Sequence, residues 1–275
     1  MDISAIMVHV DTSGHAPVRL SHAAALANAF HATLIGLLSA QPVDAVSTVC
    51  PADDHDATRR LFESATERAG LAVDWRIGEG TALDAIHCEG RLADLIVLSR
   101  PDPAESGAAA MRRFVEAAIV DIGPPVLVIP PGPLVSLSVW PYVSVIVCWS
   151  GNRASARALR DALPVLRQAR HVTIACCTPI DARGQGVAPA SYAITWLARR
   201  GIRAALVELL ARSSTDIGHT LLDLAVRRRA DLLVCGAGGH PGEPVAGHET
   251  QRAHWHDDVA AALISRSPIP ALFAC

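Results

Sequence analysis

The sequence predicts an α/β protein of two successive doubly wound domains, each built on a five-stranded parallel sheet. Three observations lead there. The chain has 275 residues, more than one average domain needs. It is 51% hydrophobic but only 4% aromatic, which suits Ala-, Val-, Leu- and Ile-rich cores shared between parallel strands and their covering helices. One plan also occurs twice. "ISAIMVHVDTSG" (3–14) is matched by "VSVIVCWSGN" (143–152), "RLADLIVLS" (91–99) by "RRADLLVCG" (228–236), and "GPPVLVIPPG" (123–132) by "SPIPALFAC" (267–275).

Each half opens on a buried strand, followed by small polar residues and an Ala-rich helix. "SHAAALANAFHA" (21–32) and "ASARALRDALPVLRQA" (154–169) place apolar residues at helical spacing. A second strand falls near "ATLIGLLSA" (32–40) or "HVTIACC" (171–177), and a third near "VDWRI" (73–77) or "RAALVEL" (203–209). The fourth and fifth are the repeated runs already quoted. Short continuous apolar runs alternating with helices specify strands buried on both faces of a parallel sheet. The Pro-rich stretch "PPGPLVSLSVWP" (130–141) reads as a linker, which puts the domains at 1–132 and 142–275.

Composition excludes several function classes. No apolar run approaches the roughly 20 residues of a membrane span. The opening "MDISAIMVHVD" carries acids where a signal peptide carries Lys or Arg, so a cytoplasmic protein with no membrane partner is expected. A net charge of -3 implies no strongly charged partner. The arginine clusters at 197–200 and 227–229 fall at helix ends, where cations complement the helix dipole, and no basic face with aromatic platforms marks a nucleic-acid binder. Seven cysteines without a CxxC pair read as reduced thiols.

In doubly wound sheets ligands lie beyond the carboxyl ends of strands, where neighbouring connections diverge to opposite faces. The first and fourth strands of each half flank that crevice. In the second half the residues there are "SGN" (150–152) and "CGAGGH" (235–240). Gly236, Gly238 and Gly239 lack side chains, so backbone N–H groups can approach phosphate oxygens ahead of a helix N-terminus.

On "VIVCWSGNRASARALRDALPVLRQA", "ADLLVCGAGGH" and "PIPALF", with weaker counterparts in the first half, the chain resembles a tandem universal stress protein over nearly its whole length. The resemblance implies ATP as the candidate ligand: a Gly-x-x-Gly turn after the fourth strand and a Gly-Ser or Gly-Thr opening the last helix hold its phosphates. An Asp after the first strand meets the ribose, and the end of the second strand meets adenine. Carried onto this chain, the Gly-x-x-Gly pair is Gly236 and Gly239, Ser150 takes the ribose position, and Cys177 or Cys176 adjoins adenine. The Gly-Ser position falls on or near Asp257 and Asp258, an N-cap type but a carboxylate facing phosphate; another registration would use Gly247 or Thr250. The first half keeps Asp11 but has no glycine pair in "LSRPDPAESGAAAMRRF", where Asp102 and Glu105 would face a phosphate. The implied nucleotide site is therefore in the second domain: Ser150, Cys177, Gly236, Gly238, Gly239 and Asp258.

Two other groupings carry chemistry. "HETQRAHWHDD" gathers His248, His254, His256 and two acids, but at no closed zinc spacing, so a solvated polar loop and no metal site is expected. Cys148, Cys176 or Cys177, Cys235 and Cys275 end strands that should lie side by side, where they serve as small core residues or, with a stabilised thiolate, as a redox sensor. No GxSxG elbow, P-loop or HExxH occurs, and no catalytic residue is assigned. The expectation is a stress-response protein acting as a regulatory or ligand-sensing module rather than an enzyme. The alternatives are an interaction protein with both sites degenerate and a weak metal-dependent ATPase. By the resemblance the two halves pack as a pseudo-dimer through their last strands, with a further homodimer open.

Overall fold

The computed structural model describes residues 2–41, 52–67, 70–105, 107–133, 140–180, 190–237 and 253–275. The chain separates into two compact units, Met1–Pro141 and Tyr142–Cys275.

The first unit alternates β1 (Ala5–His9), α1 (Ala16–Phe30), β2 (Thr33–Ser39), α2 (Ala52–Thr66), β3 (Val73–Gly78), α3 (Ala82–Glu89), β4 (Leu95–Ser99), α4 (Ala108–Asp121) and β5 (Val126–Ile129). Its strand order is β3-β2-β1-β4-β5, and the pairings are parallel. β1, β4 and β5 carry Ile6, Met7, Val8, Ile96, Val97 and Val126, all buried, as strands covered on both faces require. Thr81 caps α3 reciprocally with Asp84, each side chain bonding the other's backbone N–H.

The second unit repeats the plan with β6 (Ser144–Cys148), α5 (Arg153–Asp161), α6 (Leu163–Gln168), β7 (His171–Pro179), α7 (Ala190–Ala198), β8 (Ala204–Ala211), α8 (Ile217–Arg228), β9 (Leu232–Gly236), α9 (Ala253–Arg266) and β10 (Ala271–Ala274). Its order is β8-β7-β6-β9-β10, again parallel. The single helix expected over 154–169 is two, α5 and α6, divided at Ala162. Pro164 sits in the first turn of α6, where its missing N–H is tolerated, and cannot continue the helix begun at Arg153.

In both units the chain leaves the first strand for one neighbour while its other neighbour is the fourth strand. β1 lies between β2 and β4, and β6 between β7 and β9. That reversal of strand order opens the crevice at the carboxyl ends of these pairs.

Candidate functional site

At the second crevice, β6 ends at Cys148 and the chain turns through Ser150 and Gly151, whose φ of 75° is a left-handed conformation open to glycine. Asn152 then caps α5: its side-chain carbonyl accepts from the Ser155 N–H at 2.8 Å and from the Ser150 hydroxyl at 2.9 Å. The Ser150 hydroxyl proton is thus spent on the cap, and its oxygen stays available as an acceptor. β9 arrives alongside and ends at Gly236. A Cβ on Gly236 would lie 2.4 Å from the Ala154 carbonyl carbon and 2.4 Å from the Ser155 nitrogen. Glycine is required there because the strand end presses against the first turn of α5.

Ser150, Cys177 and Gly236, from three separate strand ends, come together around a cavity of about 30 Å³ that Cys148, Cys235 and Val259 also line. Gly238 and Gly239 lie outside the described residues. α9 begins at Ala253, so Asp258 falls in its second turn rather than ahead of its first. A space of about 30 Å³ holds a water or two, well short of the roughly 300 Å³ at which small-molecule pockets begin.

The thiols of this crevice are buried or half-buried. Cys148 stands in register with Cys235 across the β6–β9 pair. A hydrogen bond with Cys235 and burial together hold the Cys148 thiol well above its ordinary range. Burial also pushes Cys177 up to about 11, and burial with the charge of Glu208 does the same to Cys176. A redox sensor needs a thiolate near neutral pH, and these three are thiols there. The packing alternative is the one this geometry favours.

The first crevice is closed by its own side chains. Arg19 of α1 is 1% exposed, and its guanidinium meets groups at the carboxyl ends of the paired strands β1 and β4. Its Nη2 lies 3.0 Å from Asp11 Oδ1, and its Nη1 donates to the hydroxyl of Ser99 at the end of β4. Asp11 also accepts from the Ser13 N–H at 3.0 Å and the Ser13 hydroxyl at 2.5 Å. Burial would raise the Asp11 carboxyl, but the Arg19 cation beside it, with the hydrogen bond from Ser13, outweighs burial and holds it well below the usual carboxylate range. His9 is 2% exposed, lies 3.6 Å from Asp11 and packs against Phe114 with ring centres 5.4 Å apart. Burial lowers its pKa to about 4, so the ring is neutral. The space beside Asp11 is therefore occupied by the chain's own side chains. Arg19 was legible as an arginine on the Ala16–Ala23–Ala27 face of α1, where an apolar residue is expected.

Beside that network, His15 Nε2 stands 3.2 Å from Asp102 Oδ2 and 3.3 Å from Glu105 Oε1. Among the described residues this is the one grouping of His and carboxylate side chains close enough to share a cation. Asp102 and Glu105 were expected to face any phosphate here; His15, arriving from the start of α1, joins them.

No protein-family model matches the chain, and no curated protein matches it. Solved structures do. A universal stress protein from Archaeoglobus fulgidus DSM 4304 superposes with a TM-score of 0.70 at 16% identity, covering 98% of this chain and 97% of that one. A functionally unknown protein from Pseudomonas aeruginosa PAO1 follows with a TM-score of 0.59 at 16% identity, covering 99% and 92%. The cytoplasmic domain of a prokaryotic cation chloride cotransporter gives 0.51 at 10% identity, covering 98% and 95%. The likeness is one of fold, and it runs through both units: this chain has the fold of a tandem universal stress protein.

Proposed function

We propose that the protein is a stress-response regulatory module that senses a small ligand rather than turning one over, and that its ligand is an adenine nucleotide held in the second domain. The observation that carries this reading is the meeting of Ser150, Cys177 and Gly236 at the switch point of the second sheet, each at the end of a different strand. Ser150 offers an acceptor to a ribose hydroxyl, the end of β7 offers backbone groups to a base, and Gly238 and Gly239 offer backbone N–H groups to phosphates. Calorimetric titration of the whole chain with ATP, with and without magnesium, tests it. We expect one nucleotide per chain and loss of binding in Gly239→Arg; unchanged affinity in that variant dismisses the site.

The small volume of the crevice supports a second reading, an interaction protein whose two sites are both degenerate. Absence of any ATP heat in the same titration favours it.

A further inference from the structure

In an α/β domain the helices run back along the sheet, so their C-termini gather at the edge where the strands begin. Arginines placed there to complement helix dipoles are brought to one side of the molecule. In the second unit Arg167 ends α6, Arg227 and Arg228 end α8, and Arg170 and Arg203 lead directly into β7 and β8. The sequence shows these only as scattered helix-end charges.

Three of these arginines converge. Arg170, Arg203 and Arg228, with His171, line a cleft of about 490 Å³ at the amino ends of β6, β7 and β8, where Ser144 and Thr173 add hydroxyls. All three arginines are exposed, and among the described residues no carboxylate pairs with any of them. Elsewhere the pattern is different: Arg59 pairs with Glu63, Arg76 with Asp74 and Glu89, Arg112 with Glu116 and Arg157 with Asp161. The acid on this edge, Asp231, is taken up by the backbone N–H groups of Val143 and Ser144 at 3.0 and 2.8 Å. The partial charge of about half a unit at a helix C-terminus offsets only part of one guanidinium. An unneutralised cluster of three in one concave space is self-repelling, and a compact polyanion relieves that repulsion.

We propose that this cleft is a second binding site, for a small molecule carrying two or three linked phosphate groups. Guanidinium groups present paired donors that match phosphate oxygens bidentately, and three of them match the charge of an oligophosphate. The volume falls in the range of small-molecule pockets. The described lining has no Trp, Tyr or Phe, so the cleft holds phosphates and has no platform on which to stack a nucleic-acid base. It is separate from the nucleotide crevice: His171 opens β7 and Cys177 lies near its other end, roughly 20 Å away at about 3.3 Å per residue.

The probe is inorganic tripolyphosphate, titrated calorimetrically into the whole chain at low salt and again at about 0.15 M ionic strength. One site per chain is expected, weakening with salt, with affinity falling about tenfold in each of Arg170→Gln, Arg203→Gln and Arg228→Gln. Thermal melts check that each variant is folded. Loss of tripolyphosphate binding in the triple glutamine variant, with adenosine binding the same as in the parent, separates this site from the crevice. The proposal is overturned if the triple glutamine variant binds the probe as tightly as the parent, or if the parent shows no binding at millimolar probe and low salt. Equal affinity for citrate would overturn the assignment to phosphate. A single-stranded oligonucleotide that outcompetes the probe with an affinity growing with its length would overturn the small-molecule assignment.

Discussion

Gly236 shows how a single residue can carry two readings. Its position after an apolar strand suggests a phosphate-holding glycine, yet what demands a glycine there is the backbone of Ala154 and Ser155, 2.4 Å from where a Cβ would sit. Both neighbours are main-chain atoms of a capped helix, so neither can rotate aside. Gly236→Ala should therefore destabilise the second unit by about 1–3 kcal/mol through overpacking, whether or not ligand is present. Urea unfolding of the apo protein measures it; an unchanged midpoint would mean the helix and strand separate freely at this point. Arg19 is the complementary case, a charge buried in a helix face that composition alone would fill with alanine. It persists because Asp11 and Ser99 meet it.

At the scale of elements, the sharpest local device is the turn from β6 into α5. Asn152 accepts from the Ser155 N–H, satisfying one of the first-turn donors that an α-helix leaves open. The same carbonyl orients Ser150, so cap and candidate ligand group are one unit. Asn152→Ala should cost about 1 kcal/mol and speed hydrogen exchange at the Ser155 amide, leaving α8 and α9 protected. Equal acceleration across all three helices would show instead that the cap supports the whole unit. The break between α5 and α6 belongs to this scale too. Apolar periodicity continues across 154–169, but the pyrrolidine of Pro164 decides the geometry.

For the molecule as a whole, the buried histidines of the first unit set its response to acid. His9 and His22 are 2% and 8% exposed, and burial lowers both to about 4. Unfolded, each would titrate near 6.5. Above that value both states are neutral and the histidines contribute no pH dependence. Between about 6.5 and 4 the unfolded chain binds the protons, so stability falls with pH by up to about 1.4 kcal/mol per unit for each histidine. Asp11 acts lower: its depressed pKa contributes stability above the ordinary carboxylate value, lost only as pH falls below it. Urea midpoints at pH 7, 6 and 5 should decline for the parent and flatten in the His22→Gln variant by roughly half; a flat parent profile would mean that both rings find partners for the charged form. The same closure of the first crevice by Arg19 explains why one nucleotide rather than two is expected per chain. The sequence by itself determined the class of fold, the two-fold repetition, the strands and the crevice-forming pairs, because short apolar runs and their spacing are local and the plan occurs twice. It also brought Ser150 and Gly236 forward, since strand ends can be counted, while Cys177 came only from the family resemblance. Only the tertiary structure decided that Gly236 is pinned by α5, that Arg19 plugs the first site, and that arginines from α8 and the starts of β7 and β8 share one cleft. Those facts depend on side chains distant in sequence meeting at fixed separations, and packing rather than periodicity sets those separations.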